Sequence, residues 1–415
     1  MQLYEYLKLF KIRSLIFLIL SATFWQFGSS LTHMLLITMV GIANPGKVFA
    51  LSKASLAFTL PVVIFSPLIG ILVDRWSRRI TLFRANFIKA FILILTPILI
   101  SLTHSYNPFW IMIFLFFTID IFNNTAKPAL LPMVVAKRKL LLANSLEQFF
   151  GRIAMVAGMV LGGIIIVKIS WCNGFALNTV IHFLAGLFVL GIAVKYDTHP
   201  HQAKNRESTI SQSFAILYKE LKEIVSLIGK DRLIALILLS FVMISLISSA
   251  SFTILVFMIQ QVLKMGTAGV GVMRGLLAVG MIVGALILGI FHIKIHKINI
   301  VILGFLIYGL LFTIGPFFII RPTMIIIALL GGLLYSVILV AQNTILQEQV
   351  SSHIRGRIFA VKELLFNITF IITAIVIGII SDLTSFKIVL FCVGLIIIAF
   401  ALLTFILTRT KSNTD

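Results

Sequence analysis

The chain is constrained above all by the places where charge is missing. No Asp, Glu, Lys or Arg occurs between Arg13 and Lys47, Lys53 and Asp74, Lys89 and Asp120, Lys168 and Lys195, or Arg232 and Lys264. The same holds between Arg274 and Lys294, Lys297 and Arg321, Arg321 and Glu348, Glu363 and Asp382, and Lys387 and Arg409. A helix needs about 20 mostly apolar residues to cross a bilayer. Inside hydrocarbon every backbone N–H and C=O must be satisfied within the protein, which leaves helices and closed barrels as spanning structures. Barrel strands alternate in segments of about ten residues, so these continuous runs read as helices. Two further apolar segments carry charge. One extends from about Pro108 to Val135 and holds Asp120 and Lys127; the other extends from about Leu141 to Val167 and holds Glu147 and Arg152. The sequence therefore predicts an all-α membrane protein with twelve spans.

Composition removes the alternatives. Of the 415 residues, 60% are hydrophobic and 11% charged, against about 45–50% and about 25% in soluble domains. A formal charge of +21 would suggest nucleic acid on a soluble protein. Here the basic residues lie between apolar runs, where they set membrane topology, and no nucleic-acid partner is expected. Cys172 and Cys392 are too few for a disulfide framework or a structural zinc site, and no group of residues has metal-ligand spacing. Neither a metal nor a cofactor is expected. With an even number of spans, both termini share a side. That side carries 23 Lys and Arg residues; the other carries six, Lys47, Lys53, Lys168, Lys264, Arg321 and Lys387. Both termini are thus expected in the cytoplasm, with the chain a monomer in the inner (cytoplasmic) membrane. The first run is too long for a signal-peptide core and lacks a small-residue cleavage site, so it should persist as an anchor.

The longest polar stretch lies between spans six and seven. It divides the chain into an N-terminal six-helix bundle at 1–195, a linker at 196–232 and a C-terminal six-helix bundle at 233–415. Within the linker, Ile210, Phe214, Leu217, Leu221, Ile224 and Ile228 recur at helical spacing, which predicts an amphipathic helix on the membrane surface. Glu147 precedes Gly162 by fifteen residues, and Glu363 precedes Gly378 by the same interval. This weak repeat fits two related halves.

After the second span the chain reads Gly70-Ile-Leu-Val-Asp74-Arg75-Trp-Ser-Arg78-Arg79. The glycine, the aspartate and the basic residues at these intervals resemble the signature loop of the major facilitator superfamily, in its place between spans two and three. Physically, Gly70 would allow close helix approach, and Asp74 among arginines can make charge-assisted hydrogen bonds to helix ends. Other segments resemble the macrolide-efflux and enterobactin-exporter branch. These are Pro128-Ala-Leu-Leu-Pro132 followed by Ala143-Asn144-Ser145-Leu146, and Gln347-Glu348-Gln349-Val350 followed by Arg355-Gly356-Arg357. The resemblance implies two pseudo-symmetric six-helix bundles and transport by alternating access. It also implies that Gly70, Asp74, Arg75, Arg78 and Arg79 work with Glu147 and Glu363 as a cytoplasmic gate. The chain departs from the branch in span one, which reads Phe27-Gly28-Ser29-Ser30 without an acid. Span five has Gly158-Met159 where a Gly-Pro pair is common, and span four lacks an arginine.

Charges inside the membrane cost about 2.5–3.5 kcal/mol each at the centre on insertion scales and mark ion or substrate pathways. Asp120 lies deep in span four and is a candidate proton carrier; a structural polar knot is the alternative. Asn123, Asn124 and Lys127 follow on the same helix, with Lys127 placed to act as a counter-charge. His33, near Gln26 in span one, is a second candidate for proton relay or substrate contact. Arg274 in span eight could bind an anionic group, pair with Asp120, or snorkel to the interface, the last being slightly preferred. Gln26, His33, Asn123, Asn124, Lys127 and Arg274 form the expected substrate cavity. Glu147 and Glu363 are expected to make ion pairs between the halves or to meet the Asp74 loop. The Gly158/Gly162 and Gly280/Gly284 pairs read as close helix packing.

The expected function is secondary active, proton-coupled export of a small amphiphilic compound such as a drug or siderophore. No phosphate-cradling glycine loop is present, and no paired catalytic groups suggest an enzyme. The alternative is a lysophospholipid flippase or an importer of the same fold, with Arg274 holding a phosphate.

Overall fold

The computed structural model describes residues 9–136, 139–194, 232–290, 296–350 and 352–412, and among them every regular element is helical. Among the described residues eleven helices are long and apolar enough to cross a membrane. One of them, Leu140–Leu190, has 51 residues and is broken at Ser170, where φ is 71° and ψ 160°. The chain reverses there. Gly174 lies against Ile166, while Gly162 before the break and Asn178 after it both reach residues Leu31 and Thr32 of the first helix. The described residues therefore hold twelve spans. They are α1 Arg13–Ala43, α2 Val48–Arg75, α3 Arg78–Thr103, α4 Asn107–Val134, α5 140–169 and α6 171–190. Then follow α7 Arg232–Ala250, extended by π-helical turns Ser251–Leu255 and Met258–Val262, and α8 Gly266–Ile290, α9 Lys297–Ile314, α10 Arg321–Gln349, α11 Ser352–Leu383 and α12 Phe386–Ser412. The amphipathic helix expected within 196–232 falls outside the described residues.

Local chemistry explains the helix ends. Ser77 accepts a hydrogen bond from the Ile80 amide and so caps α3. At the other end of α3, His104 takes the left-handed conformation (φ 48°). Pro108 and Pro322 occupy first-turn positions, where a missing N–H costs nothing.

Contacts divide the chain into two compact units, Met1–Ala43 with Ala57–Thr209, and Asn44–Leu56 with Ile210–Asp415. In the first unit α1 packs against α5 at Gly158, where a Cβ would lie 2.6 Å from the Phe27 carbonyl oxygen. In the second unit α8 packs against α10: a Cβ at Gly280 or Gly284 would run into the Leu329 or Leu333 carbonyl. Both glycine pairs thus let backbones approach closely. At Gly70 no atom of the described residues lies within 4 Å of the place a Cβ would take. Also in the second unit, Asp382 of α11 accepts from the Val48 and Phe49 amides, capping the first turn of α2.

Polarity is arranged for lipid. The outer face of α3 presents Ile88, Phe91, Ile94 and Leu102, while its inner face buries Asn86, Lys89 and Thr96. In hydrocarbon such polar groups need partners inside the protein, and they converge in the first unit.

Candidate functional site

Asn86 and Lys89 stand one turn apart on the buried face of α3. Lys89 is completely buried, and its ammonium donates to Asp120 Oδ1 at 2.6 Å. The same oxygen accepts from Trp25 Nε1 at 2.7 Å and from Ser29 Oγ at 3.2 Å. One carboxylate oxygen therefore joins α1, α3 and α4. At 1.5 Å per residue, Trp25, Lys89 and Asp120 lie about 16–20 Å along their helices. A hydrocarbon layer about 30 Å thick puts them near its middle. The Lys89 ammonium also sits 5.1 Å from the Phe116 ring centroid and 5.6 Å from that of Trp25, contacts that favour a cation.

A second ion pair lies beside the first. Lys127 donates to Glu147 Oε1 at 2.5 Å and sits 4.8 Å from the Trp25 ring centroid. Trp25 thus touches both pairs, with its N–H on the Asp120 carboxylate and its ring against both ammonium groups. The four charges sum to zero, so the cluster is electrically balanced while both acids are ionised. A change at one acid leaves a net charge in low dielectric, where it is felt most strongly.

Around the pairs runs a neutral polar network. Asn86 Nδ2 donates to Asn123 Oδ1 at 3.2 Å, His182 Nδ1 lies 3.5 Å from Asn86 Oδ1, and Asn178 Nδ2 donates to Thr32 Oγ1 at 2.7 Å. Among the described residues, Asn123 Nδ2 and His182 Nε2 are buried with no protein hydrogen-bond partner. A small recess bounded by Leu18, Leu82, Asn123 and Lys127 reaches Trp25.

The other candidates fall around this cluster or elsewhere. His33 packs between Phe58 and Phe117, at ring centroid distances of 5.2 and 4.8 Å. Gln26 is half-buried beside Trp25 on α1. Asn124 is exposed and donates to the Asp120 backbone carbonyl on its own helix. The partner of Lys127 is Glu147, and the counter-charge at Asp120 is Lys89. Glu147 therefore pairs within its own unit. Glu363 pairs at 3.0 Å with its neighbour Lys362, whose ammonium lies over the Phe241 and Phe359 rings. In the signature loop, Arg79 donates to the Val189 and Leu190 carbonyl oxygens at the end of α6, and Arg78 reaches the Met133 sulfur. The side chains of Asp74 and Arg75 lie outside the described part of the structure. Arg274, in the second unit, holds its guanidinium 5.2 Å from the Phe252 ring centroid.

Lys89, Trp25, Ser29 and Asn86 were not among the sequence candidates. Lys89 looked like the boundary of a charge-free run. The signal that could have found it is the helical spacing of Asn86, Lys89 and Thr96, a polar stripe inside a helix that begins at Arg78.

Residues 14–306 and 237–415 match the family model described as Major Facilitator Superfamily. No curated protein matches the chain closely enough to count as a relative. Solved structures of similar fold include the nucleoside transporter NupG, with a TM-score of 0.69 at 13% identity over 95% of this chain and 99% of that one. The peptide transporter POT in complex with sulfate gives 0.72 at 12% identity over 96% and 94%. A bacterial homologue of the iron transporter ferroportin, in the inward-facing state, gives 0.69 at 15% over 94% and 98%. At such identities the likeness is one of fold.

Proposed function

The chain belongs to the major facilitator superfamily, and on that premise we propose that it is a proton-coupled exporter of a small amphiphilic compound. The reading places it with the macrolide-efflux and enterobactin-exporter branch, acting as a monomer in a cell's inner membrane with both termini cytoplasmic. The segments 1–195 and 233–415 act as its two moving bundles, joined by the 196–232 linker.

The observation that carries this reading is the mid-membrane position of Asp120, tied to Lys89, Trp25 and Ser29. Ionised, its carboxylate holds α1, α3 and α4 together through charge-assisted bonds, which are about twice as strong as neutral ones. A proton on Asp120 removes the negative acceptor from those bonds and leaves Lys89 without its counter-ion. The two protonation states therefore favour different packings of α1 against α3 and α4. A proton gradient can bias alternation only through such a difference between states. His33 packs on Phe117, three positions before Asp120 on α4, and is the second residue we assign to the proton route. The Asp74 loop, with Arg75, Arg78 and Arg79, is the cytoplasmic latch.

The test uses purified protein in vesicles loaded with the pH dye pyranine. Compounds from a panel of drugs and siderophores are added outside, and substrate-dependent proton movement is recorded. Wild type is expected to couple proton flux to at least one amphiphile. Asp120→Asn should keep downhill exchange of that compound and lose its pH-driven accumulation. Full gradient-driven accumulation by the variant would remove Asp120 as the proton carrier.

A further inference from the structure

We propose that Arg274 binds the anionic group of the transported molecule, so that the substrate is an anionic amphiphile carrying a carboxylate or phosphate. This rests on the transporter reading above and narrows its substrate class.

Three observations converge on Arg274. The first is depth. It lies eight residues into α8, about 12 Å along the axis, well inside the membrane-spanning part. The second is direction. The lipid-exposed stripe of α8 runs through Val272, Val279, Val283 and Leu286, which are 37–53% exposed. At about 100° per residue, Arg274 sits about 200° around the helix from Val272, on the side that buries Val270 and Ala278. Its guanidinium therefore points into the protein, against Phe252 of α7, and the snorkelling expected from the sequence is corrected. The third is charge. The described carboxylates of the second unit are Glu348, Glu363 and Asp382. Glu348 pairs with Lys297, Glu363 with Lys362, and Asp382 with the α2 amides. Among the described residues no carboxylate pairs with Arg274.

An inward-facing cation deep in a membrane helix without a counter-ion is costly unless something anionic visits it. Guanidinium is the side chain suited to that visit, since its planar fork matches carboxylate and phosphate oxygens two at a time. The surroundings of the guanidinium are aromatic. Phe252 packs against Phe370 with ring centroids 6.4 Å apart, and Phe370 stacks on Phe366 at 6.3 Å and 23°. Phe252 is also set in the π-helical turn Ser251–Leu255. Such turns are rare and concentrate at functional positions. Arg274 thus stands at the edge of a buried cluster of rings.

The test is equilibrium binding to the purified full chain in a neutral maltoside detergent, with four eight-carbon probes: octyl phosphate, octanoate, octylammonium and octyl glucoside. Wild type should bind the two anions at least tenfold more tightly than the cation or the neutral probe. Arg274→Gln should abolish that preference. Arg274→Lys, which keeps the charge and guards against a folding defect, should weaken octyl phosphate about tenfold by losing the fork. Nanodiscs of phosphatidylcholine with and without phosphatidylglycerol separate the two sources of the anion. Competition by the anionic lipid against octyl phosphate assigns a lipid headgroup, and no competition assigns a soluble anion. Unchanged anion binding in either variant, or equal wild-type affinity for all four probes, overturns the proposal. The measurement uses no gradient, so its failure leaves the proton-coupling test at Asp120 independent.

Discussion

Lys89 and Asp120 form a buried pair whose strength can be isolated from its role in transport. Asp120→Asn keeps an amide oxygen that can accept from Trp25 and Ser29, but it strands the Lys89 ammonium. Removing one partner of a buried ion pair costs about 3–5 kcal/mol. Lys89 retains the Trp25 and Phe116 rings, each worth about 0.5–2 kcal/mol to a cation, so the loss should sit near the lower end, about 3 kcal/mol. Lys89→Gln strands the carboxylate, which keeps two donors, and should cost about 2–3 kcal/mol by the same reasoning. The double variant places two amides where the ions were. They can bond each other, no charge is left unpaired, and the cost should fall to about 1–2 kcal/mol. The coupling energy of the cycle is then about 4 kcal/mol. The assay is unfolding in mixed micelles, titrated with dodecyl sulfate and followed by helical circular dichroism. Additivity of the two single changes to within about 0.5 kcal/mol, the behaviour of independent sites, would refute the pairing. The double variant also separates stability from coupling. It should fold nearly as well as wild type, exchange substrate downhill, and fail to accumulate it against a gradient.

Further outcomes follow from other parts of the structure. Gly158→Val should prevent folding or expression, since its side chain would enter the Phe27 backbone; expression and thermal unfolding against wild type check it. Ser170→Gly should be neutral to stabilising by up to about 1 kcal/mol, because glycine adopts the φ of 71° without strain; a drop in melting temperature would contradict the reversal at that residue. Arg79→Ala should release the Val189 and Leu190 carbonyls and speed amide exchange at the end of α6, read by mass spectrometry. Asp74→Asn should leave the protein folded in the membrane and greatly slow transport at matched expression; near-wild-type turnover would remove the latch role.

The sequence alone determined the class, the number of spans and the family, for a local reason. A helix in hydrocarbon satisfies its own backbone, so each span is specified by about 20 residues without charge, and that can be counted without knowing any neighbour. The break between α5 and α6 was legible because Lys168 interrupts the apolar run two residues before Ser170. The signature loop was legible because its spacing is contiguous. Asp120 stood out because it is an acid in the middle of a span. What it touches did not stand out. Its partner depends on the register of α3 against α4 and on the rotation of both. Those are fixed by side chains such as Leu82, Phe116 and Asn123 meeting across helices, not by any interval along the chain. Lys127, seven residues away on the same helix, looked nearest in sequence, but packing turned it toward Glu147. Arg274 shows the same division. Its presence in the span was read from the chain, whereas its direction was decided by which face of α8 is given to lipid and which to Phe252.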